Sequence, residues 1–174
     1  MWNVLILKIV LCFVMLSAGL ISCNPKDETK AEVSVQKSTA ENKAEFLDVM
    51  QTHLDAVTNR DLEILRSTLS PKGNMQLILP SEEIIDKVEG FMDYHKEWFA
   101  QTDWTFETKI LNTAVGETMG MAITEVVYRE PERDGKPYFN RMIISYDLQK
   151  IEGRWYIIKD HASSVEKSTD SKTY

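Results

Sequence analysis

From residue 44 to about 101 the apolar positions mostly recur every three or four residues, and from Asp103 onward they alternate with polar ones. The first spacing lays side chains along one face of a helix, and the second along one face of a strand. Phe46, Met50, Leu54 and Val57, beside Leu47 and Val49, predict a helix over 44–59. Asn59-Arg60-Asp61 interrupts it with cap-forming residues, and Leu62, Leu65 and Leu69 predict a short second helix over 62–69. Pro71-Lys72-Gly73 reads as a turn into a short strand over 75–79. Ser81 before Glu82 and Glu83 then reads as the cap of a long helix reaching about residue 101. Its stripe of Ile84, Ile85, Val88, Phe91, Met92, His95, Trp98 and Phe99 is the broadest in the chain.

Downstream, Trp104, Phe106, Thr108 and Ile110 alternate along one strand, and 119–129 forms a second that Asp134-Gly135 turns back. Two further runs meet at Glu152-Gly153, a hairpin signal, and the stretch from Tyr138 to Ser164 is what the rest of the chain covers. With the tip at Glu152-Gly153, Leu148 faces Ile157, Tyr146 faces Lys159 and Ile144 faces His161. Trp155, Ile157, Lys159 and His161 then share the more apolar face with Met142, Ile144, Tyr146 and Leu148, the expected inside of the sheet. The opposite face takes Tyr156, Ile158, Asp160 and Ala162.

The first 43 residues follow neither pattern. An apolar run from Val4 to Ile21, broken only by Lys8 and small residues, is too short past Lys8 for the roughly 20 residues of a permanent span and reads as a signal peptide over 1–22. Its end, Leu20-Ile21-Ser22-Cys23, resembles the lipobox of bacterial lipoproteins, which implies lipidation of Cys23 and attachment to a membrane through it. Several buried acyl chains anchor firmly where one would not. Residues 24–43 carry no aromatic and read as a flexible tether, with Lys26-Asp27-Glu28 similar to a signal that sends lipoproteins to the outer face of the outer membrane. The expected place is therefore the bacterial cell envelope, lipid-anchored and extracytoplasmic. One domain over 44–165 and a disordered tail over 166–174 complete the expected organisation.

Composition narrows the function. Cys12 leaves with the signal peptide and Cys23 is lipidated, so the domain has no thiol for a disulfide or a metal. Loss of Lys8 takes the net charge of −7 to −8, which argues against nucleic acid as a partner. No His-x-x-x-His spacing, acidic calcium loop, glycine-rich phosphate loop or Gly-x-Ser-x-Gly elbow occurs, so neither a metal nor a cofactor is expected.

The order of two helices, a short strand, a long helix and a four-stranded meander resembles the nuclear transport factor 2-like superfamily, in its SnoaL-like branch. Gly153 to Ser163, GRWYIIKDHAS, is similar to that branch's G-x-W-x-I-x-x-x-H-x-S last strand, and Asp61-Leu62 with Leu65 resembles its D-L-x-x-L second helix. The resemblance implies an α+β fold, a cone-shaped, curved antiparallel β-sheet wrapping three helices around a pocket. It also implies a possible homodimer through the outer sheet face. Members include isomerases, dehydratases, cyclases and plain binding or assembly domains, so the fold does not choose among them.

On the expected inner face His161 and Tyr146 are the polar groups. Either they exchange a proton with a substrate and steady a developing oxyanion, or each finds a backbone or water partner. Glu125 alternates with Met121, Ile123 and Val127; it either points inward as a general base or lies on an outer face. Trp98, Trp104, Met121, Tyr128, Met142, Lys159 and His95 are the candidate ligand-binding residues, each equally readable as core. The expectation is a lipoprotein binding a small, mostly apolar ligand. Its rivals are an acid-base isomerase or dehydratase and an envelope assembly module.

Overall fold

Ser38 and Glu41 close a capping box, Glu41 N–H donating to the Ser38 hydroxyl at 3.2 Å and Ser38 N–H to the Glu41 carboxylate at 2.9 Å. It starts α1 (Thr39–Asn59) ahead of the first apolar residue of the stripe, within what the sequence reads as tether. The extra turn is held from outside: the Asn42 amide donates to the Gly116 carbonyl at 2.8 Å, and the Trp155 indole donates to the Asn42 carbonyl at 3.2 Å. In this computed structural model residues 38–170 are described. The signal peptide, the lipobox, Cys23 and most of the tether lie outside the described residues.

α2 (Leu62–Ser67) follows the Asp61 cap. Next come β1 (Gln76–Ile78) and β2 (Ile84–Asp86), then α3 (Lys87–Phe99). The long helix expected from Ser81 is thus shorter. Ile84 to Asp86 pair antiparallel with β1, and Glu82 and Lys87 take left-handed φ of 69° and 68°, which no helix continues through. Pairing with an open strand edge outweighs the helical periodicity of Ile84 and Ile85.

The remaining strands are β3 (Thr105–Val115), β4 (Met119–Arg133), β5 (Lys136–Ile151) and β6 (Arg154–Lys167). Two tight turns with left-handed backbone, Asp134-Gly135 and Glu152-Gly153, join the last three, where the sequence places them. β6 runs into the expected tail, and Ser168 N–H still donates to the Phe139 carbonyl at 3.1 Å. The strands form one sheet in the order β2-β1-β6-β5-β4-β3, antiparallel throughout except that β1 joins β6 in parallel. The expected meander therefore gains two short strands at one edge. The three helices cover one face of this curved sheet, and Phe46, Met50, Leu54 and Phe91 bury against Ala122, Val126, Tyr146, Leu148 and Ile157.

One irregularity positions the site. Leu148 pairs with Ile157, as the tip register requires, but Asp147 pairs with Lys159, so Ile158 is an extra residue in β6. Beyond it Tyr146 pairs with Asp160, Ser145 with His161 and Ile144 with Ala162. The pairings Tyr146–Lys159 and Ile144–His161 expected from an unbroken ladder are corrected accordingly. Because side chains alternate with period two, one inserted residue exchanges the faces of everything after it.

Candidate functional site

The bulge turns Asp160 and Ala162 to the helix-covered face, both buried, and turns Lys159 and His161 to the outside. Lys159 lies 3.8 Å from Asp147 on that outer face, in contact with solvent. A flush register would have put its ammonium among apolar side chains with no carboxylate beside it, a costly burial.

Between α3, β1 and the inner faces of β4, β5 and β6 lies a cavity of about 340 Å³. Its buried end holds Tyr146, Asp160 and His95, with Tyr94 alongside, and its sides are Leu77, Ile144, Met142, Ala162 and Trp98. Exposed Gln101 and Arg133 lie at the other end with Glu130, Tyr138 and Asn140, which marks the mouth.

Burial dominates the electrostatics of the closed end. Desolvation pushes the Asp160 carboxyl up to about 7, and its Oδ1 is buried with no protein partner. Tyr146 is raised well above the usual phenol range by burial, and further by Asp160. Burial, then Asp160 and then Glu83 raise Tyr94. His95 is lowered to about 4 by burial, against a hydrogen bond that favours the cation: its Nδ1–H donates to the Phe91 carbonyl at 2.8 Å. Its Nε2 is therefore an acceptor at neutral pH.

Behind Tyr146 stands a second neutral imidazole, His53, with ring centroids 5.5 Å apart. The Thr68 hydroxyl donates to the Leu65 carbonyl at 2.6 Å, so His53 Nδ1, 2.8 Å from that oxygen, is the donor of the pair. Burial and then His95 lower His53 to about 3.

At the mouth the polar groups satisfy one another. Tyr128 donates to Glu130 at 2.5 Å, Arg133 ion-pairs with Glu130, and the Arg133 guanidinium lies 3.6 Å over the Tyr138 ring. The Arg133 hydrogen bond holds the Glu130 carboxyl below its ordinary range against burial, with a lesser contribution from Tyr128.

The structure thus brings Tyr146, His95, Trp98, Tyr128 and Met142 to one cavity. Trp104 is buried behind Trp98, stacked on it at 4.6 Å, with the Arg60 guanidinium 3.8 Å from its ring. His161, Lys159 and Met121 are corrected to the outer face, and Glu125 takes the outer of its two alternatives. The first two are turned there by the bulge, and the others follow the alternation that puts Ala122, Thr124 and Val126 inside. Glu125 lies 3.3 Å from Arg141, which lies 3.3 Å from Glu166. Among the described residues no group of three or more His, Cys, Asp or Glu is placed to hold a metal ion.

Sequence reasoning missed Asp160 as an inward group, and with it Asn140 and Tyr94. Asn140 carried a signal, since it sits two residues before Met142 in the inward phase. For Asp160 the signal was Lys159: a lysine in an apolar phase beside an Ala162 out of phase marks a shift of register.

The SnoaL-like domain family matches residues 47–166. No curated protein matches the chain. Among solved structures, the hexachlorocyclohexane dehydrochlorinase LinA-type3 from Novosphingobium barchaimii is similar at a TM-score of 0.65 and 14% identity, over 78% of this chain and 94% of that one. A ketosteroid isomerase-like protein from Erwinia carotovora atroseptica is similar at 0.62 and 13%, over 72% and 98%. An NTF-2 like protein of unknown function from Shewanella oneidensis gives 0.56 and 13%, over 70% and 98%. At these identities the likeness is one of fold.

Proposed function

We propose that this chain, which belongs to the SnoaL-like domain family, binds a small, mostly apolar ligand in its cone and holds the ligand's polar group at Asp160. One observation carries the reading: a cavity of about 340 Å³ with apolar sides ends at a buried carboxyl oxygen that has no protein partner. An unpaired buried polar atom costs about 1–3 kcal/mol, and a ligand that pairs with it recovers that cost on binding. A volume of this size suits a molecule of modest dimensions. The lipobox supports a further part of the reading, that lipidated Cys23 tethers the cone to a membrane of the bacterial envelope. Loss of radiolabelled palmitate from Cys23→Ser, with retention by wild type, tests that part.

The binding reading is tested by displacement of an apolar fluorescent dye. Wild type binds the dye; Ala162→Trp, which fills the cavity from its wall, abolishes binding while its thermal melt shows it folded. Dye bound equally by that variant would place the apolar site elsewhere and overturn the reading.

Asp160 beside Tyr146 supports a second reading, proton transfer. A carboxyl near pH 7 changes state readily, and a buried phenol donates a hydrogen bond to a developing oxyanion. Two of the similar structures carry the names of a dehydrochlorinase and a ketosteroid isomerase-like protein. Solvent deuterium entering the α-position of a long-chain methyl ketone, lost in Asp160→Asn, is the expected result. Exchange unchanged in that variant removes Asp160 from such a role.

A further inference from the structure

We infer that the ligand of this cavity is two-ended and neutral, an elongated apolar body with one hydrogen-bonding group held at Asp160 and another at Asn140. The inference rests on the binding reading above and deepens it. Along the inner face of β5 lie Asn140, Met142, Ile144 and Tyr146, and Tyr146 is the cross-strand partner of Asp160. Six residues at about 3.3 Å each separate the two ends by roughly 20 Å of strand. Between them the two strands present only Met142, Ile144 and Ala162 to the cavity. Along these two strands the lining thus has its polar stations at the ends and an apolar middle, the unpartnered Ser164 hydroxyl opposite Met142 lying outside the lining.

Each station holds a buried side-chain oxygen without a protein partner, Asp160 Oδ1 at one and Asn140 Oδ1 at the other. Native proteins leave few such atoms unpaired, and two in the lining of one cavity set a spacing that a ligand must match. Turning the Asn140 amide does not remove the requirement, since its other end is a donor with the same need.

The neutrality follows from what surrounds each station. Near Asn140 the charges of Glu130 and Arg133 are spent on each other, and Tyr128 and Tyr138 occupy what remains of them. Among the described residues Arg133 is the one Lys or Arg in the lining, and Lys167, the cross-strand partner of Asn140, lies outside it, so the lining itself offers no free cation to a carboxylate. At the closed end the group met is itself a carboxyl, and both nearby imidazoles are neutral. Hydroxyl or amide ends, which carry a donor, satisfy both stations; anionic ends satisfy neither.

The test compares three probes on the full mature protein by dye displacement: the α,ω-diol of dodecane, dodecanol and dodecanedioic acid. The diol is expected to displace the dye at about tenfold lower concentration than dodecanol, the gain of one hydrogen bond to a buried orphan. The diacid is expected to do no better than dodecanol. In Asn140→Ala the diol should lose its advantage over dodecanol. Equal displacement by diol and dodecanol on wild type, which needs no variant to fold, overturns the two-ended ligand and leaves the binding reading standing. Tightest binding by the diacid overturns neutrality. Failure of all three to displace the dye overturns the binding reading and this inference with it.

Discussion

Asp160 and Tyr146 stand opposite each other across the β5–β6 ladder, both buried in the cone, while His161 is exposed on the other face of the sheet. The inserted Ile158 alone decides that the carboxylate, and not the adjacent imidazole, meets the cavity. What the site can do therefore depends on the protonation of Asp160.

The pH dependence of stability should reveal that protonation. Burial raises Asp160 from 3.8 to about 7, so its proton is held more firmly in the folded chain than in the unfolded one. Its contribution is fully present below about pH 4 and is lost as the pH rises through about 7. Replacing it by asparagine removes the loss. Urea unfolding at pH 4 and pH 8 should show Asp160→Asn gaining on wild type by up to about 4 kcal/mol between the two. A difference that stays constant over that range would mean a solvated carboxyl.

His53 and His95 act with the opposite sign. Burial first, with His95 adding to the effect on His53, lowers them to about 3 and about 4, so the folded chain holds both neutral while the unfolded chain takes up protons below about 6.5. Their contribution is complete above pH 6.5 and is lost as the pH falls through 4 and 3. Nitrogen NMR at pH 6 should show two neutral rings protonated on Nδ1. An imidazolium signal from either ring at that pH would contradict the burial described. Between pH 4 and 6.5 these rings oppose Asp160, so Asp160→Asn should fall off more steeply in acid than wild type.

His161→Ala should do little. The ring is exposed on the outer face and is not part of the lining of the cavity described above. Unfolding free energy should change by less than about 0.5 kcal/mol and dye affinity should be unaltered. Loss of dye binding in this variant would restore the unbroken register that the sequence suggests.

Gly120 sets how closely α1 approaches the sheet. A methyl group there would sit 2.6 Å from Cε2 of Phe46 and 3.2 Å from the Ala114 carbonyl oxygen. Phe46 is fully buried, edge-on to Trp155 at 5.3 Å, and has little room to retreat. Gly120→Ala should cost about 1–3 kcal/mol in denaturant unfolding. A neutral result would show that the ring yields freely.

Much of the fold was legible because it rests on local rules. The stripe of α1, the cap at Asp61, the turns at Asp134-Gly135 and Glu152-Gly153 and the alternation of β3 to β5 all follow from residue type and spacing. Ser38 and Glu41 also spelled a capping box, but in a polar stretch without apolar periodicity it read as tether; its worth comes from Asn42 meeting Gly116 and Trp155, far along the chain. Ile84 and Ile85 fit a helix as well as a strand, and only the presence of β1 beside them settled which.

The sequence by itself determined the helix-then-sheet order, the positions of the turns, and Tyr146, Met142, His95, Trp98 and Tyr128 as candidates for the interior. The tertiary structure decided which neighbour of β6 faces Tyr146. Alternation assigns faces only while the ladder is unbroken, and a bulge is set by the partner strand and by what each face can accommodate. Here an inward Lys159 had no carboxylate to meet, whereas outward it has Asp147, so the strand takes one extra residue and Asp160 enters the cavity.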